Sequence, residues 1–232
     1  MSPQIPDKVE HLEDFTALEW CNALLSDPSV THISKRQIPE LRQGVSNTFF
    51  TRTLFTDDAM RAFLSLYKPG KGHRRAPGAD VFTGSPHAPI HQPPVPSNAE
   101  VEALRQSAKT ERMFDVDDLD APEAIVLVSL GTDADGGTNR LHGGVTATLL
   151  DQVMGTLISY VYQYTCATSD LQVKYKQAVN TPCVLLCRAK LVKEKGRWIE
   201  TKAWVEDGKG NVFAEGTGAF VMAKVSVSEA KM

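Results

Sequence analysis

One segment of the sequence constrains the fold more than any other. Residues 143–162 carry apolar side chains on every side of a potential helix, among them Val145, Leu149 and Val153. A helix that is apolar all round is buried in a protein interior and does not lie on the surface. The rest of the chain must therefore supply enough apolar structure to cover this helix on all sides.

Five strand candidates flank the helix in the sequence. A β-branched segment at residues 124–130 precedes it and ends at Gly131. Four candidates follow, over residues 168–179, 183–194, 198–206 and 212–222, and the separators at 195–196 and 207–210 are typical of hairpins. A small antiparallel sheet covers such a helix by curling around it. The order predicts an α+β protein with the hotdog fold, in which a curved antiparallel sheet wraps a long central helix.

The first 122 residues are predicted to form an extension to this domain. Residues 7–26 and 57–67 show the apolar spacing of amphipathic helices, and residues 98–112 are a short charged helical candidate. Pro and Gly are frequent over residues 69–98, which disfavours regular structure. We therefore expect a helical N-terminal extension at 1–68, a linker or loop at 69–98, a connecting helix at 99–122, the hotdog domain at 123–224 and a tail at 225–232.

Composition narrows the possible partners and location. The formal net charge of −3 and the pI near 6.1 provide no basic field, so no nucleic-acid partner is expected. The apolar stretches are too short to span a bilayer, so no membrane span is expected. The acidic N-terminus lacks the pattern of a presequence, and the four cysteines show no disulfide framework. These features predict a cytoplasmic protein.

The start of the central helix carries a recognisable motif. The sequence Leu141-His142-Gly143-Gly144-Val145-Thr-Ala-Thr-Leu-Leu-Asp151 resembles the signature of hotdog acyl-CoA thioesterases of the His-Gly-Gly class. Thr168-Ser169-Asp170-Leu171 resembles the start of the following strand in that family. The resemblance covers residues 123–223 and extends to fungal members with a long N-terminal extension, for which the sequence Phe49-Phe50-Thr-Arg-Thr-Leu-Phe-Thr-Asp-Asp adds support.

The resemblance implies an acyl thioester hydrolase that acts on acyl-CoA or acyl-carrier substrates, with no cofactor and no metal. It implies that the Gly143 N–H is the oxyanion donor, that His142 shapes the loop or contacts the ligand, and that Thr168 positions a water molecule. Asp151 would be a general base or the nucleophile itself. Elementary chemistry agrees, because the first N–H groups of a helix are unpaired and lie at the positive end of its dipole.

Several further residues are candidates for substrate binding. Gly144 allows a ligand to approach the backbone closely, and Asn139 lies near the motif. For the phosphates and pantetheine of CoA, the basic candidates are Arg140, Lys174, Lys176, Lys195 and Arg197, although such side chains are commonly solvated surface groups. The sequence departs from the family at Gly136, where many relatives carry an Asn or a similar polar residue.

Helix geometry predicts a dimer without reference to any family. Gly143 and Asp151 are eight residues apart, which is about 12 Å along a helix at about 1.5 Å per residue. One helix therefore cannot present both groups to the same carbonyl. A two-fold homodimer with antiparallel central helices would bring Gly143 of one subunit opposite Asp151 and Thr168 of the other. Whether two such dimers associate into a dimer of dimers stays open.

Other protein classes match the sequence less well or leave the hydrolytic step out. A lone Asp in a helix is more often solvated than catalytic, and a non-hydrolytic acyl-binding or scaffold protein would keep the same pocket. A hotdog hydratase or dehydratase would carry an Asp-x-Asn-Pro-x-His pattern, which is absent. No Gly-x-Ser-x-Gly elbow is present, which disfavours a serine hydrolase. Cys183 and Cys187 lack the spacing of a zinc site, and residues 135–139 are better interpreted as a turn than as a phosphate-binding loop.

Overall fold

The helix predicted over residues 143–162 is present with those bounds, and an antiparallel sheet wraps around it. The computed structural model describes residues 10–35, 49–75, 110–162 and 166–222. The helices are α1 (Glu13–Thr16), α2 (Glu19–Ser26) and α3 (Gly143–Tyr162), with a π-helical turn at Phe49–Thr53 and a 3-10 turn at Thr132–Ala134. The strands are β1 (His32–Lys35), β2 (Met60–Lys68), β3 (Arg112–Met113), β4 (Glu123–Leu130), β5 (Asp135–Gly137), β6 (Arg140–Leu141), β7 (Cys166–Tyr175), β8 (Cys183–Lys195), β9 (Trp198–Glu206) and β10 (Val212–Met222).

The main sheet has the order β1-β2-β4-β8-β9-β10-β7, and the short strand β3 adds to β8. All of its neighbouring strands are antiparallel. Strands β5 and β6 form a separate small hairpin immediately before α3. Helix α3 packs against β2, β4, β7, β8, β9 and β10. This arrangement confirms the predicted hotdog fold, and α1 and α2 confirm a helical N-terminal part.

Helix α3 packs closely over strand β10. A Cβ atom at Gly218 would lie 2.6 Å from Met154 Sδ, and one at Gly216 would lie 3.2 Å from Leu150 Cδ1. Both helix side chains are fully buried. Glycines in this strand therefore make room for the side chains of α3, which lets the helix pack tightly on the sheet.

The segment at residues 57–67 was predicted to be a helix, and this prediction is wrong. It forms strand β2, which lies between β1 and β4. Phe63 and Tyr67 face α3, whereas Leu64 and Leu66 face away from it into a second apolar cluster. A strand that is buried on both faces does not show the alternation of apolar and polar residues that identifies a half-buried strand. A spacing of four residues also fits both the helical and the strand period.

The N-terminal helices cover the outer face of the sheet. Phe15 and Leu25 are fully buried there, against Leu64 of β2 and Leu127 of β4. The single helix predicted over residues 7–26 is replaced, within the described residues, by two short helices. Leu18 separates them because its backbone is extended, with φ −107° and ψ 124°. A second apolar core therefore joins residues 12–33 to the same sheet.

The intervening predictions lie partly outside the described residues. Of the Pro- and Gly-rich segment at 69–98, only residues 69–75 are described, and of the predicted connecting helix at 99–122, only residues 110–122. Those last residues form β3 and two turns instead of a helix. The division of the chain at residues 68, 98 and 122 stays a prediction, although β1 and β2 join the sheet of the hotdog domain.

The contact between Trp20 and the β9–β10 turn gives a test of how firmly the extension is docked. We expect Gly208→Ala to lower the free energy of unfolding by about 2–3 kcal/mol, because the residue has φ +71° and its Cβ would lie 2.3 Å from the Trp20 ring. The matched control is Gly196→Ala, with φ +63° and no atom within 4 Å of the new Cβ, for which we expect about 1 kcal/mol. Urea unfolding measures both values. An equal decrease in the free energy of unfolding for the two variants would show that Trp20 moves aside at no energetic cost.

Candidate active site

The β5–β6 hairpin fixes the residue that begins helix α3. The Leu141 N–H donates to Val179 O at 3.0 Å, and the His142 N–H donates to Ala134 O at 2.9 Å. The carbonyl oxygen of His142 then accepts from the N–H groups of Val145 and Thr146. His142 therefore caps the helix from a backbone that is held by two neighbouring segments.

The imidazole of His142 serves as a second cap. Its Nδ1 accepts a hydrogen bond from the Gly144 N–H at 2.8 Å. A nitrogen that accepts cannot carry a proton, so this bond requires the neutral tautomer with hydrogen on Nε2. The ring is exposed to solvent on its other side, and its Nε2–H is therefore a donor available to a ligand.

Two glycines leave the space that the imidazole occupies in this position. A Cβ at Gly136 would lie 2.9 Å from His142 Cδ2, and a Cβ at Gly144 would lie 2.9 Å from His142 Nδ1. The departure from the family at Gly136 thus has a local cause, because a larger residue there would displace the ring. Gly144, predicted to contact substrate, has a packing role toward His142 as well.

These caps leave one N–H group of the helix start free. Among the residues that the structure describes, the Gly143 N–H has no acceptor, while those of Gly144, Val145 and Thr146 are all paired. Tyr175, the last residue of β7, donates its hydroxyl to Gly143 O at 2.9 Å. The carbonyl oxygens of His142 and Gly143, on either side of the free N–H, are therefore both held by hydrogen bonds.

The free N–H lies in an open cleft, here called the helix-start cleft. Its volume is about 500 Å³. The residues that line it include Arg140, His142, Gly143, Tyr175, Lys176 and Phe213. The cleft thus combines an unpaired backbone donor, the His142 ring and two basic side chains, which suits an anion or a polarised carbonyl.

Asp151 lies in a different cavity, here called the Asp151 cavity, of about 400 Å³. It is lined by Phe49, Phe50, Thr148, Gln152 and Leu171, with Asp151 itself and Ala147. Thr168 at the start of β7 donates its hydroxyl to Asp151 Oδ1 at 2.7 Å. The other carboxylate oxygen, Oδ2, has no donor among the described residues and is available to accept a proton or bind water.

The structure brings together some of the predicted binding residues and separates others. Lys176 lines the helix-start cleft and pairs with Glu215 at 2.8 Å, which keeps the pKa of Glu215 below its ordinary value. Lys174 is 4.0 Å from the same carboxylate and largely exposed. Asn139 forms the turn before β6 with φ +53°, and its carbonyl oxygen accepts from the Thr181 N–H at 3.2 Å.

Arg197 lies at the other end of the sheet from the helix-start cleft. Its guanidinium donates to Met222 O at 2.9 Å, and Met222 pairs with Cys166 at the start of β7. Tyr175 ends the same strand, so the two ends are about 30 Å apart at about 3.3 Å per residue. Lys195 pairs with Glu111 at 3.2 Å in that region. Within one chain, neither basic residue belongs with the predicted oxyanion donor.

Sequence reasoning missed Tyr175 and Phe213 in the cleft and Gln152 beside Asp151. Tyr175 follows Gly143 by 32 residues, and no spacing rule connects them. They meet only because β7 returns past the start of α3. Phe49 and Phe50 were noted as a motif, but their contact with the Asp151 cavity depends on β2, which was predicted to be a helix.

All four cysteine thiols have a raised pKa. Burial raises the pKa of Cys21 and Cys183 to about 12 and that of Cys166 to about 11, and it raises the pKa of Cys187 as well. Such thiols are protonated at neutral pH and are weak nucleophiles. Within the described residues, no three His, Cys, Asp or Glu side chains are grouped so that they could bind a metal ion. None of the described helices has the length and hydrophobicity of a membrane span.

Comparison with known proteins finds a similarity for the central part of the chain. Residues 138–214 match the family model of the thioesterase superfamily. No curated protein matches the chain.

Similar solved structures include a thioesterase superfamily protein with 28% identity over 43% of this chain and 48% of its own, at a TM-score of 0.40. A Bacillus halodurans protein solved with CoA has 29% identity over 43% of this chain and 66% of its own, at a TM-score of 0.40. Zebra fish thioesterase superfamily member 2 has 18% identity over 54% of this chain and 97% of its own, at a TM-score of 0.41. The match thus spans about half the length of the first of these proteins.

The matched segment begins in the turn before β6 and ends within β10. It contains His142, Gly143, Asp151 and Thr168, together with all of α3, β7, β8 and β9. The part of the chain that carries the central helix and the candidate site is therefore similar to the thioesterase superfamily.

Proposed function

We propose that the protein hydrolyses an acyl thioester to a free acid and a thiol. The observation that carries the proposal is the unpaired Gly143 N–H at the start of α3, held by His142 and Tyr175 in an open cleft. A thioester carbonyl oxygen bound there would accept a hydrogen bond that strengthens as negative charge develops on it. The family match of residues 138–214 supports this chemistry.

Asp151 supplies the second half of the reaction in this proposal. Its free Oδ2 accepts the proton of a water molecule, whose oxygen attacks the carbonyl carbon, and the C–S bond breaks to release the thiolate, which takes up a proton. Alternatively, Oδ2 attacks the carbonyl carbon directly and expels the thiolate, which takes up a proton, and water then cleaves the resulting mixed anhydride to the free acid and the Asp151 carboxylate. Thr168 holds Oδ1 in both routes and so directs Oδ2 into the cavity.

The two halves lie in separate cavities of one chain, and we propose that a homodimer unites them. Antiparallel α3 helices would bring the helix-start cleft of one subunit to the Asp151 cavity of the other. Strand β7 supports this arrangement, because it is the last strand of the sheet and seven of its ten residues are exposed. An edge strand of this kind is suited to pairing with a second chain.

Acyl-CoA is the proposed substrate, with an acyl-carrier thioester as the other form of the same chemistry. Arg140 and Lys176 line the helix-start cleft and would bind phosphate or pantetheine groups. Lys174 is a weaker candidate at the rim, and Arg197 would contribute only from another position in an assembly. The cytoplasmic location stays a prediction.

The role of Asp151 is tested by Asp151→Asn, which keeps the shape of the side chain and the hydrogen bond from Thr168. We expect thiol release from acyl-CoA to fall by roughly a hundredfold because the base is lost, while binding of a non-hydrolysable thioether analogue is retained. The control is Asp117→Asn, an exposed carboxylate before β4 that lines neither cavity. Absence of thiol release by the wild type from every acyl-CoA and acyl-carrier substrate would contradict hydrolysis and leave acyl binding as the function.

The oxyanion donor is tested by exchanging Gly143 for residues with and without an N–H group. Proline is well tolerated at the first position of a helix, so Gly143→Pro removes the donor while α3 persists. We expect kcat to fall by roughly a hundredfold or more.

Gly143→Ala is the matched control, since its Cβ would lie in ordinary contact with the Tyr175 hydroxyl at 3.4 Å and the ring at 3.5 Å, and the N–H is kept. Circular dichroism checks that both variants are folded. Equal activity of the Pro and Ala variants would exclude the Gly143 N–H as the donor.

A further inference from the structure

We propose that Phe49 and Phe50, which precede the family-matched segment by about ninety residues, form the wall against which the acyl group of the substrate packs. The proposal rests on the proposed hydrolysis and adds to it a substrate class: acyl groups with a neutral, apolar body. It assigns to the N-terminal extension a part in specificity as well as in stability.

Phe50 anchors this wall in the core. Its side chain is 5% exposed and meets Phe63 of β2 edge to face, with ring centroids 6.3 Å apart. The turn that carries it is closed by the Leu54 N–H, which donates to Phe49 O at 2.9 Å. Because β2 belongs to the main sheet, the position of Phe50 relative to α3 is set by the sheet itself.

Phe49 is the part of the wall that a ligand can contact. Its ring lies edge to face against Phe50 at 5.7 Å, yet 48% of its surface is exposed. The exposed surface borders the Asp151 cavity. Binding of an apolar group over the exposed face of such an aromatic ring is favourable, because it removes apolar surface from water.

The cavity has two chemically distinct ends. Among its described lining residues, Asp151 is the charged group, and its free Oδ2 is suited to the reacting end of a substrate. Phe49, Phe50 and Leu171 provide the apolar remainder. A ligand that fits both ends places its carbonyl near Asp151 and its hydrocarbon along Phe49. A carboxylate on the acyl group would be repelled by Asp151 and would lose hydration against the aromatic rings.

The test compares substrates and keeps the full chain. Thiol release is measured with acetyl-CoA, octanoyl-CoA and succinyl-CoA for the wild type, Phe49→Ala, Phe49→Leu and the control Leu119→Ala. Leu119 is an apolar side chain that is 96% exposed and lies outside the cavity. The readout is the ratio of kcat/KM for octanoyl-CoA to that for acetyl-CoA.

We expect Phe49→Ala to lower this ratio about tenfold, which is the usual effect of removing part of an apolar pocket. Phe49→Leu should give an intermediate ratio, because it keeps a smaller apolar surface, and Leu119→Ala should leave the ratio unchanged. The wild type should prefer octanoyl-CoA to succinyl-CoA. An unchanged ratio in Phe49→Ala, or a preference for succinyl-CoA, would overturn the proposal while hydrolysis stands.

Two further measurements separate other outcomes. If Phe49→Ala weakens the dimer in sedimentation and leaves the ratio unchanged, then Phe49 contacts a second subunit and the proposal is wrong. If the wild type releases no thiol from any substrate, hydrolysis is wrong, and calorimetry with the thioether analogue of octanoyl-CoA tests the wall directly. If Phe49→Ala binds the analogue about tenfold more weakly than the wild type does, the proposal that Phe49 contacts the acyl group stands. Equal binding by the two proteins, or no binding by the wild type, would overturn it.

Discussion

The burial of α3 is the constraint on which the rest of the structure depends. Its apolar side chains need partners on all sides, and six strands of one sheet provide them. The glycines of β10 make room for Met154 and Leu150, so the helix cannot shift along the sheet without steric conflict. A helix fixed in this way presents its first turn at one defined place. The packing of the core therefore fixes the position of Gly143, and with it the geometry of the helix-start cleft.

Much of the fold was predictable because the relevant patterns were local. The bounds of α3 and of β8, β9 and β10 follow from apolar periodicity and from hairpin glycines at Gly196 and Gly208. Strand β2 was not predictable in this way, since both of its faces are buried and its spacing fits a helix as well. Whether a doubly buried segment is a strand depends on its neighbours in the sheet, and these are distant in sequence.

In the candidate site as well, residues in a local motif could be predicted and residues brought in by tertiary structure could not. His142, Gly143 and Asp151 were predicted from the motif, and their roles stay predictions; the structure places His142 and Gly143 in one cleft and Asp151 in another cavity. Tyr175 and Phe213 were missed because they reach the cleft through the return of β7 and β10, a tertiary effect without a local signal. Within one chain, Arg197 lies apart from Arg140 and Lys176 because its hairpin is at the far end of the sheet.

Strand β4 also determines where this protein can be divided. Ala124, Val126 and Val128 face α3, Ile125 and Leu127 face the N-terminal helices, and all five are at most 1% exposed. A fragment that begins at residue 123, where the family resemblance begins, would lack β2 and would present β4 as a bare apolar edge. Such an edge recruits strands from other molecules. The shortest unit that stays monodisperse should therefore include the first two strands, and a recombinant domain cut at the family boundary should precipitate.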